Sequence, residues 1–370
     1  MKLPVFILFI LATYAEDIPD PLSDEFIEHI NKLNLSWKAG RNFHKSVKFS
    51  DVKRLLGVLP GKPSIQLRTV HPSKVDKNTT VPVSFDSRTK WSNCESIRTI
   101  RDQANCGACW AFASVEAMSD RLCIASNQTK QISVSAEDLL ACCGIKCGKG
   151  CNGGFIAQAW MYWNTNGIVT GGNYERYDGC KAYSIAPCEH NKTGIYKNCT
   201  YIAETPQCKR QCDDITLNYT SQKTYGHKPY TIIGYEKDIQ LEIMTNGPVA
   251  ATLEVYSDLF SYKSGVYRKS NYSKFVGLHA GKIIGWGVEK NVSYWLIANS
   301  WNEDWGTNGF FKIVRGEDHC GIESTVVAGL PDFRNNNTDS GNGSFAPDPT
   351  SSVFLIILLT IQFLFYSLTM

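Results

Sequence analysis

All fourteen cysteines of this 370-residue chain fall between Cys94 and Cys320, crowded as Cys142-Cys143, Cys147 and Cys151 and again as Cys180, Cys188, Cys199, Cys208 and Cys212. Cross-links at such density restrict the fold to topologies that bring the right pairs together, and in an oxidising compartment clusters of this kind form disulfides. A zinc site is the competing use of closely spaced thiolates, but the spacing lacks a paired C-x-x-C unit on each side.

The N-terminus agrees with export. Lys2 precedes the apolar run Pro4 to Leu11, and Thr13-Tyr14-Ala15 offers small residues for cleavage, so residues 1–15 read as a signal peptide. A membrane span would need about 20 apolar residues, more than this run supplies. Asn-x-Ser/Thr sequons at Asn34, Asn78, Asn127, Asn191, Asn198, Asn218, Asn271, Asn291, Asn336 and Asn342 predict a glycoprotein with these positions on surface loops. Lys plus Arg number 38 against 35 Asp plus Glu, with no dense basic run, which argues against nucleic acid as a partner.

Composition divides the chain. Residues before about 80 hold no cysteine, and from Leu22 to Leu56 apolar residues such as Phe26, Ile27, Ile30 and Leu33 recur at helical spacing. Pro60 to Thr80 has no sustained period and reads as an exposed linker open to a protease. From Val81 to about Leu330 helical patterns come first and strand-like runs such as Tyr294–Ala298 and Phe310–Val314 later, which predicts an α+β fold. Beyond Leu330 a polar stretch leads to the apolar run Val353 to Met370. Small residues at 340–344, a polar spacer and this run follow the order of a GPI-attachment signal; a tail anchor is the alternative.

Chemistry concentrates at Gln103-Ala-Asn-Cys106-Gly-Ala-Cys109-Trp110, where a polar turn runs into a helix-forming stretch. Cys109 is thereby expected at a helix N-terminus, where unpaired N–H groups favour thiolate over thiol. Gln103 can add a side-chain N–H to the backbone N–H of Cys109 to hold an oxyanion. A sulfur nucleophile also needs a base that later serves as acid, and His279 is placed for this ahead of Gly281, Gly285 and Gly287. Asn299 in Asn299-Ser300-Trp301 can orient the imidazole while Trp301 shields that bond from water. Taken singly, Cys109 reads as one more disulfide half and His279 as an ordinary satisfied histidine; the ordered set of four favours catalysis.

These motifs, with Trp37–Phe43, Val134–Leu140, Cys151-Asn-Gly-Gly154, Lys263–Tyr267 and Asp318–Glu323, resemble cathepsin B of the papain-like cysteine peptidase family. The resemblance implies a two-domain fold, a helical left domain and a β-barrel-like right domain with the cleft between them. It implies an inhibitory propeptide over 16–80, a catalytic domain over 81–330 with an occluding-loop region at 188–199, a polar linker at 331–352 and a hydrophobic tail at 353–370. Disulfides are implied for Cys94–Cys123, Cys106–Cys151, Cys142–Cys208, Cys143–Cys147, Cys180–Cys212 and Cys188–Cys199, leaving Cys109 and Cys320 free. Gly154 is expected to bond substrate backbone, Thr325 to line the pocket for the second residue before the cut, and Ala280, His190 and Trp301 to join the substrate-binding set.

The implied partners are protein and peptide substrates, the chain's own propeptide and cystatin-like inhibitors, with no metal or cofactor. The implied location is the secretory pathway, lysosomal or extracellular, with membrane attachment through the tail as an extension. Ala104, Ala108 and Leu278 depart from the family, which has smaller residues there, and Leu278 is expected to narrow the leaving-group side. In the occluding-loop region one of two consecutive histidines is replaced by Asn191, and Tyr196 stands for an arginine. A non-enzymatic matrix protein on the same fold and a transglutaminase-like acyl transferase are the rival functions; the first would lack a nucleophile, and the motifs around the second do not fit.

Overall fold

The computed structural model describes residues 19–189, 197–198 and 203–333. The expected signal peptide, His190 to Tyr196, Cys199 and the C-terminal tail lie outside the described residues. The helices that matter here are α1 (Asp24–Lys32), α2 (Cys109–Ala125), α3 (Ala136–Cys142), α4 (Ile156–Asn166) and α5 (Glu236–Asn246). The strands are β1 (Trp37–Ala39), β2 (Arg68–Val70), β3 (Lys223–Ile232), β4 (Val249–Tyr256), β5 (Tyr262–Tyr267), β6 (Phe275–Glu289), β7 (Val292–Ala298), β8 (Phe310–Val314) and β9 (Val326–Asp332).

Helix α2 is buried along its whole length from Cys109 to Cys123. Alanines at 111, 113, 117 and 125 favour the helix, and the lack of a consistently polar face suits an element with neighbours all round. On one side it packs with α3 and α4 around Trp110, Phe112, Trp160, Trp163 and Tyr183. On the other it meets the sheet, whose core holds Trp286, Trp295, Trp301, Trp305, Tyr262 and Tyr267. Helical and sheet halves therefore share α2, as the α+β expectation requires.

The long strand path runs β1-β5-β8-β7-β6-β4-β9-β3-β2. It is open, so strand pairing does not close the barrel expected for the sheet half. Its two ends are both supplied by the N-terminal segment: β1 adds antiparallel to β5, and β2 adds parallel to β3. Edge strands left bare are templates for unwanted pairing, and this segment covers both.

Two sequence expectations are corrected here. The helical spacing read over residues 22–56 yields α1, a single helical turn at Phe49–Val52 and a 3-10 turn at Lys53–Leu55, interrupted where Trp37–Ala39 pairs as a strand with the edge of β5. Pro60–Thr80 is not an open linker throughout. Leu67 is buried, β2 is paired, and the fully buried Asp238 carboxylate accepts from the Ser73 N–H at 2.6 Å and lies 3.1 Å from His71 Nδ1. Most residues of 60–66 and of Lys74 to Ser84 remain exposed on either side of these contacts.

Five of the implied disulfides are formed: Cys94–Cys123, Cys106–Cys151, Cys142–Cys208, Cys143–Cys147 and Cys180–Cys212. The sixth involves Cys199, outside the described residues. Asn34, Asn78, Asn127, Asn218, Asn271 and Asn291 are all exposed, as glycan acceptors must be.

Near its C-terminal end α2 is tied to the sheet half by Arg121. Its guanidinium donates to Glu242 Oε1 at 2.9 Å and to the carbonyls of Gly247, Pro248 and Gly329. Removing one partner of a buried pair leaves the other charge uncompensated. Glu242→Ala is therefore expected to destabilise the fold by about 3–5 kcal/mol, read as a lowered urea midpoint; an unchanged midpoint would show the carbonyls suffice.

Candidate active site

Helix α2 begins at Cys109, as the motif predicts, and Ala108 before it supplies no side-chain cap. The first-turn N–H groups are left for whatever faces the helix end. Cys109 itself is fully buried and free of any disulfide. N–H groups of Gly57, Ala280, Trp110 and Cys109 itself all act on its sulfur, that of Gly57 at 3.1 Å.

His279 enters from β6, where it pairs across to Leu253 on β4. Its Nε2 lies 2.8 Å from Asn299 Oδ1, which also accepts from the Ser300 N–H at 2.9 Å. With Nε2–H donating to the amide oxygen, Nδ1 is the nitrogen left with a lone pair. Trp301 packs against the imidazole with ring centroids 4.6 Å apart and is itself stacked on Phe260, so water is kept from the His279–Asn299 bond. Ala280, directly after His279, packs in the same cluster as Cys109 and its N–H favours the thiolate, so β6 carries the candidate base to the candidate nucleophile.

Gln103 is buried and fixed at its carbonyl end by the Ser300 hydroxyl at 2.7 Å. Its Nε2 donates to the Cys106 carbonyl at 2.6 Å and to the Leu55 carbonyl at 2.9 Å. The donor expected to hold an oxyanion is thus occupied by a carbonyl of the N-terminal segment. Ala104, next to it, takes φ +53°, a left-handed conformation that Gly adopts at no steric cost; Asp102 Oδ1 accepts from its N–H at 2.7 Å.

Gly154 bonds that same segment through both of its backbone groups: its N–H donates to the Gly57 carbonyl at 2.9 Å and its carbonyl accepts from the Leu59 N–H at 3.1 Å. A Cβ on Gly154 would lie 2.5 Å from the Trp110 ring, and one on Gly57 only 1.9 Å from the Gly107 carbonyl oxygen, so glycine is required at both. The Leu278 carbonyl accepts from the Val58 N–H at 3.3 Å. Residues 55–59 therefore fill the site by backbone contacts, and Val58 runs parallel to Gly154. This chain direction points the Gly57 N–H at the sulfur, which presents a donor to it.

Burial sets the charge state. It pushes the Cys109 thiol up to about 12 and holds the His279 imidazole down to about 4. The thiolate expected from the helix end is overridden while the segment is in place, because desolvation outweighs the N–H groups that favour the anion. Sulfur and imidazole form a neutral pair across the physiological range.

Thr325 precedes β9 and is exposed; its carbonyl accepts from the Thr252 N–H at 3.0 Å, and Thr252 pairs with Ala280. That places it one strand from the candidate base. His190 lies outside the described residues. Missed by the sequence reading were Leu55 and Gly57, for which a glycine in an apolar turn gave no distinguishing signal.

Comparison with known proteins assigns these parts. Residues 81–330 match the model for the papain family cysteine protease, and residues 22–62 that for the peptidase family C1 propeptide. A cathepsin B-like cysteine proteinase of Schistosoma japonicum is 49% identical over 319 residues, 84% of this chain and 91% of that protein. Cathepsin B-like cysteine proteinase 6 of Caenorhabditis elegans is 44% identical, covering 83% of each. The solved structure of procathepsin B S9 from Trypanosoma congolense superposes with a TM-score of 0.74 at 37% identity, covering 85% of this chain and all of that one.

The neutral pair gives a direct test. Iodoacetamide should label Cys109 in the uncleaved chain at least about 100-fold more slowly at pH 7 than after cleavage near Val81, since only thiolate reacts. Equal rates in the two forms would contradict the burial argument.

Proposed function

The chain belongs to the papain family of cysteine proteases, as a cathepsin B-like member carrying its own propeptide, and on that premise we propose which residues hydrolyse peptide bonds and with what preference. Cys109 is the nucleophile, His279 the base and acid, Asn299 the residue that orients the imidazole, and Gln103 with the Cys109 N–H the oxyanion donors. The observation that carries this reading is the imidazole held by Asn299 at 2.8 Å on the strand whose next N–H reaches the Cys109 sulfur.

Once the segment leaves, the desolvation that keeps the pair neutral is relieved and the proton of Cys109 passes to His279 Nδ1. The thiolate attacks the peptide carbonyl carbon; the S–C bond forms and the electron pair moves onto oxygen, beside Gln103 Nε2. Collapse breaks the C–N bond, and His279 gives its proton to the departing amine. Water, deprotonated by His279, then cleaves the thioester and releases the acid. Gly154 aligns the substrate backbone through the two groups that now hold residues 57 and 59.

Processing near Val81 is proposed to separate propeptide 16–80 from catalytic domain 81–330. The exposure of residues 76–84 supports a cut there, and five formed disulfides support passage through the secretory pathway.

Action is proposed to be mainly endopeptidic. Releasing C-terminal dipeptides needs cations to receive a terminal carboxylate, and in the 188–199 region Asn191 replaces one of two histidines while Asn191 and Asn198 begin sequons. An internally quenched peptide with a free C-terminal carboxylate should be cut no more than a few-fold faster than its amidated twin, and Cys109→Ala should cut neither. A strong preference for the free acid would sink the endopeptidase reading, whereas turnover by the Ala variant would sink the nucleophile.

Specificity gives a second expectation. Thr325 offers no charge at the pocket for the second residue before the cut, and an unpaired buried cation costs several kcal/mol. Apolar residues there should exceed Arg by about tenfold in kcat/KM, the equivalent of about 1.4 kcal/mol. Arg-Arg substrates outpacing Val- or Phe-containing ones would overturn this.

A further inference from the structure

Behind the catalytic pair lies a buried ionic cluster that the mechanism above does not use. Lys282 of β6 is fully buried, with its Nζ 2.9 Å from Asp120 Oδ2, 3.9 Å from Glu116 Oε2 and 3.2 Å from the Ser96 carbonyl. Glu116 and Asp120 are equally buried and belong to α2. One cation from the sheet half thus grips two anions of the helix that carries the nucleophile.

The periodicities explain why these residues meet. Glu116 and Asp120 follow Cys109 by seven and eleven residues, which at 3.6 residues per turn returns each to within about 20° of the Cys109 face. Lys282 is two residues beyond Ala280, and side chains two apart on a strand share a face. Ala280 packs in the same cluster as Cys109, so Lys282 is turned to the helix as well. The helix-facing side of β6 thus carries Ala280 against the Cys109 end of α2 and Lys282 against Glu116 and Asp120 one to two turns further along, and His279 is the residue directly before Ala280.

We propose that Lys282, through Asp120 and Glu116, is the positioning residue that sets the register of β6 against α2 and so the placement of His279 relative to Cys109. It touches neither the substrate nor the reacting atoms. β6 is held in register within the sheet by β4 and β7, so what remains to be fixed is the sheet face against α2, where nonpolar contacts are weakly directional and a cation between two carboxylates is not. Burial holds the Glu116 carboxyl up at about 7 and raises that of Asp120, and Lys282 is the largest influence favouring the charged form of each, ahead of Arg101 at Glu116 and of Ser96 and Arg121 at Asp120. Arg121 ties the same helix to the sheet half independently, so loss of Lys282 leaves α2 anchored.

The proposal rests on the peptidase reading, and the experiment keeps the two apart. The full chain, cleaved near Val81, is compared as wild type, K282R, K282M and the apolar triple variant E116L/D120L/K282M. The readouts are kcat and KM on a peptide amide, the rate of Cys109 labelling by iodoacetamide, and Tm. A misplaced reacting group costs rate without weakening substrate binding, so K282M should lose about 10- to 100-fold in kcat with KM within about twofold. Labelling should slow alongside, and K282R should regain most of both.

Replacing a buried ionic cluster by apolar side chains is commonly neutral or stabilising. The triple variant should therefore fold with Tm at or above that of K282M while kcat stays low. Wild-type kcat in either folded variant, or recovery of kcat together with Tm in the triple, would overturn the proposal by making the cluster a matter of stability alone. An inactive wild type would instead overturn the peptidase reading.

Discussion

The structure depends on the burial of one helix between two halves of the protein. Helix α2 has no exposed residue from Cys109 to Cys123, so its N-terminus cannot be satisfied by water. Its orphan N–H groups must find partners in the protein, and the nearest candidate is the sulfur of its own first residue. Everything else at the site is arranged around that end: β6 brings His279, the turn before the helix brings Gln103, and the Cys106–Cys151 disulfide ties that turn to the strip that presents Gly154. A disulfide across the cleft wall limits how far Gly154 can drift from Cys109, which a glycine-rich strip could not do by itself.

Residues 19–80 are part of this arrangement rather than an addition to it. Phe26, Ile30, Trp37 and Phe43 lie in the same core cluster as Tyr262, Trp301 and Trp305. Trp37 Nε1 donates to the Arg268 carbonyl at 2.9 Å, and Asn42 Nδ2 donates to the carbonyls of Phe260 and Tyr262. A segment held by this much apolar burial presents its residues 55–59 to the site at high effective concentration, so the backbone bonds there need contribute little affinity of their own. Their job is geometric. They place a carbonyl on Gln103 and an N–H on sulfur, the reverse of what the proposed mechanism requires.

The residues proposed as catalytic could be picked out in the sequence because each sits in a short motif with its own chemistry: Cys109 at a polar-to-helical switch, His279 ahead of spaced glycines, Asn299 beside Trp301. Five disulfide pairings came from family resemblance, since cysteine spacing by itself leaves many connectivities open. What the sequence concealed depends on tertiary neighbours. Trp37–Ala39 reads as part of a helical stretch until the edge of β5 is seen beside it, and Leu67 looks like a stray apolar residue until β3 accepts Arg68–Val70. Lys282, Glu116 and Asp120 are three charges with no local signal, because the helix and strand that bring them together are separated by more than 140 residues.

The charge state of the site follows from the same burial and adds a second layer to the steric block. With the Cys109 thiol pushed up to about 12, forming the thiolate at neutral pH is unfavourable by several kcal/mol, on the scale of about 1.4 kcal/mol for each pH unit. The imidazole held down to about 4 adds a penalty of the same kind, so a proton moving from sulfur to nitrogen would create two charges where the protein offers little solvation. The N–H groups at the helix end do favour the anion, but they number only a few against complete desolvation. Exposure to water removes the dominant cause for both groups at once while leaving Asn299, the helix end and the backbone N–H groups in place. The groups that stabilise the ion pair are thus built into the fold permanently, and only the cause that suppresses it is removable. Residues 55–59 therefore need do no chemistry to silence the site; excluding water from the proposed nucleophile and base is sufficient.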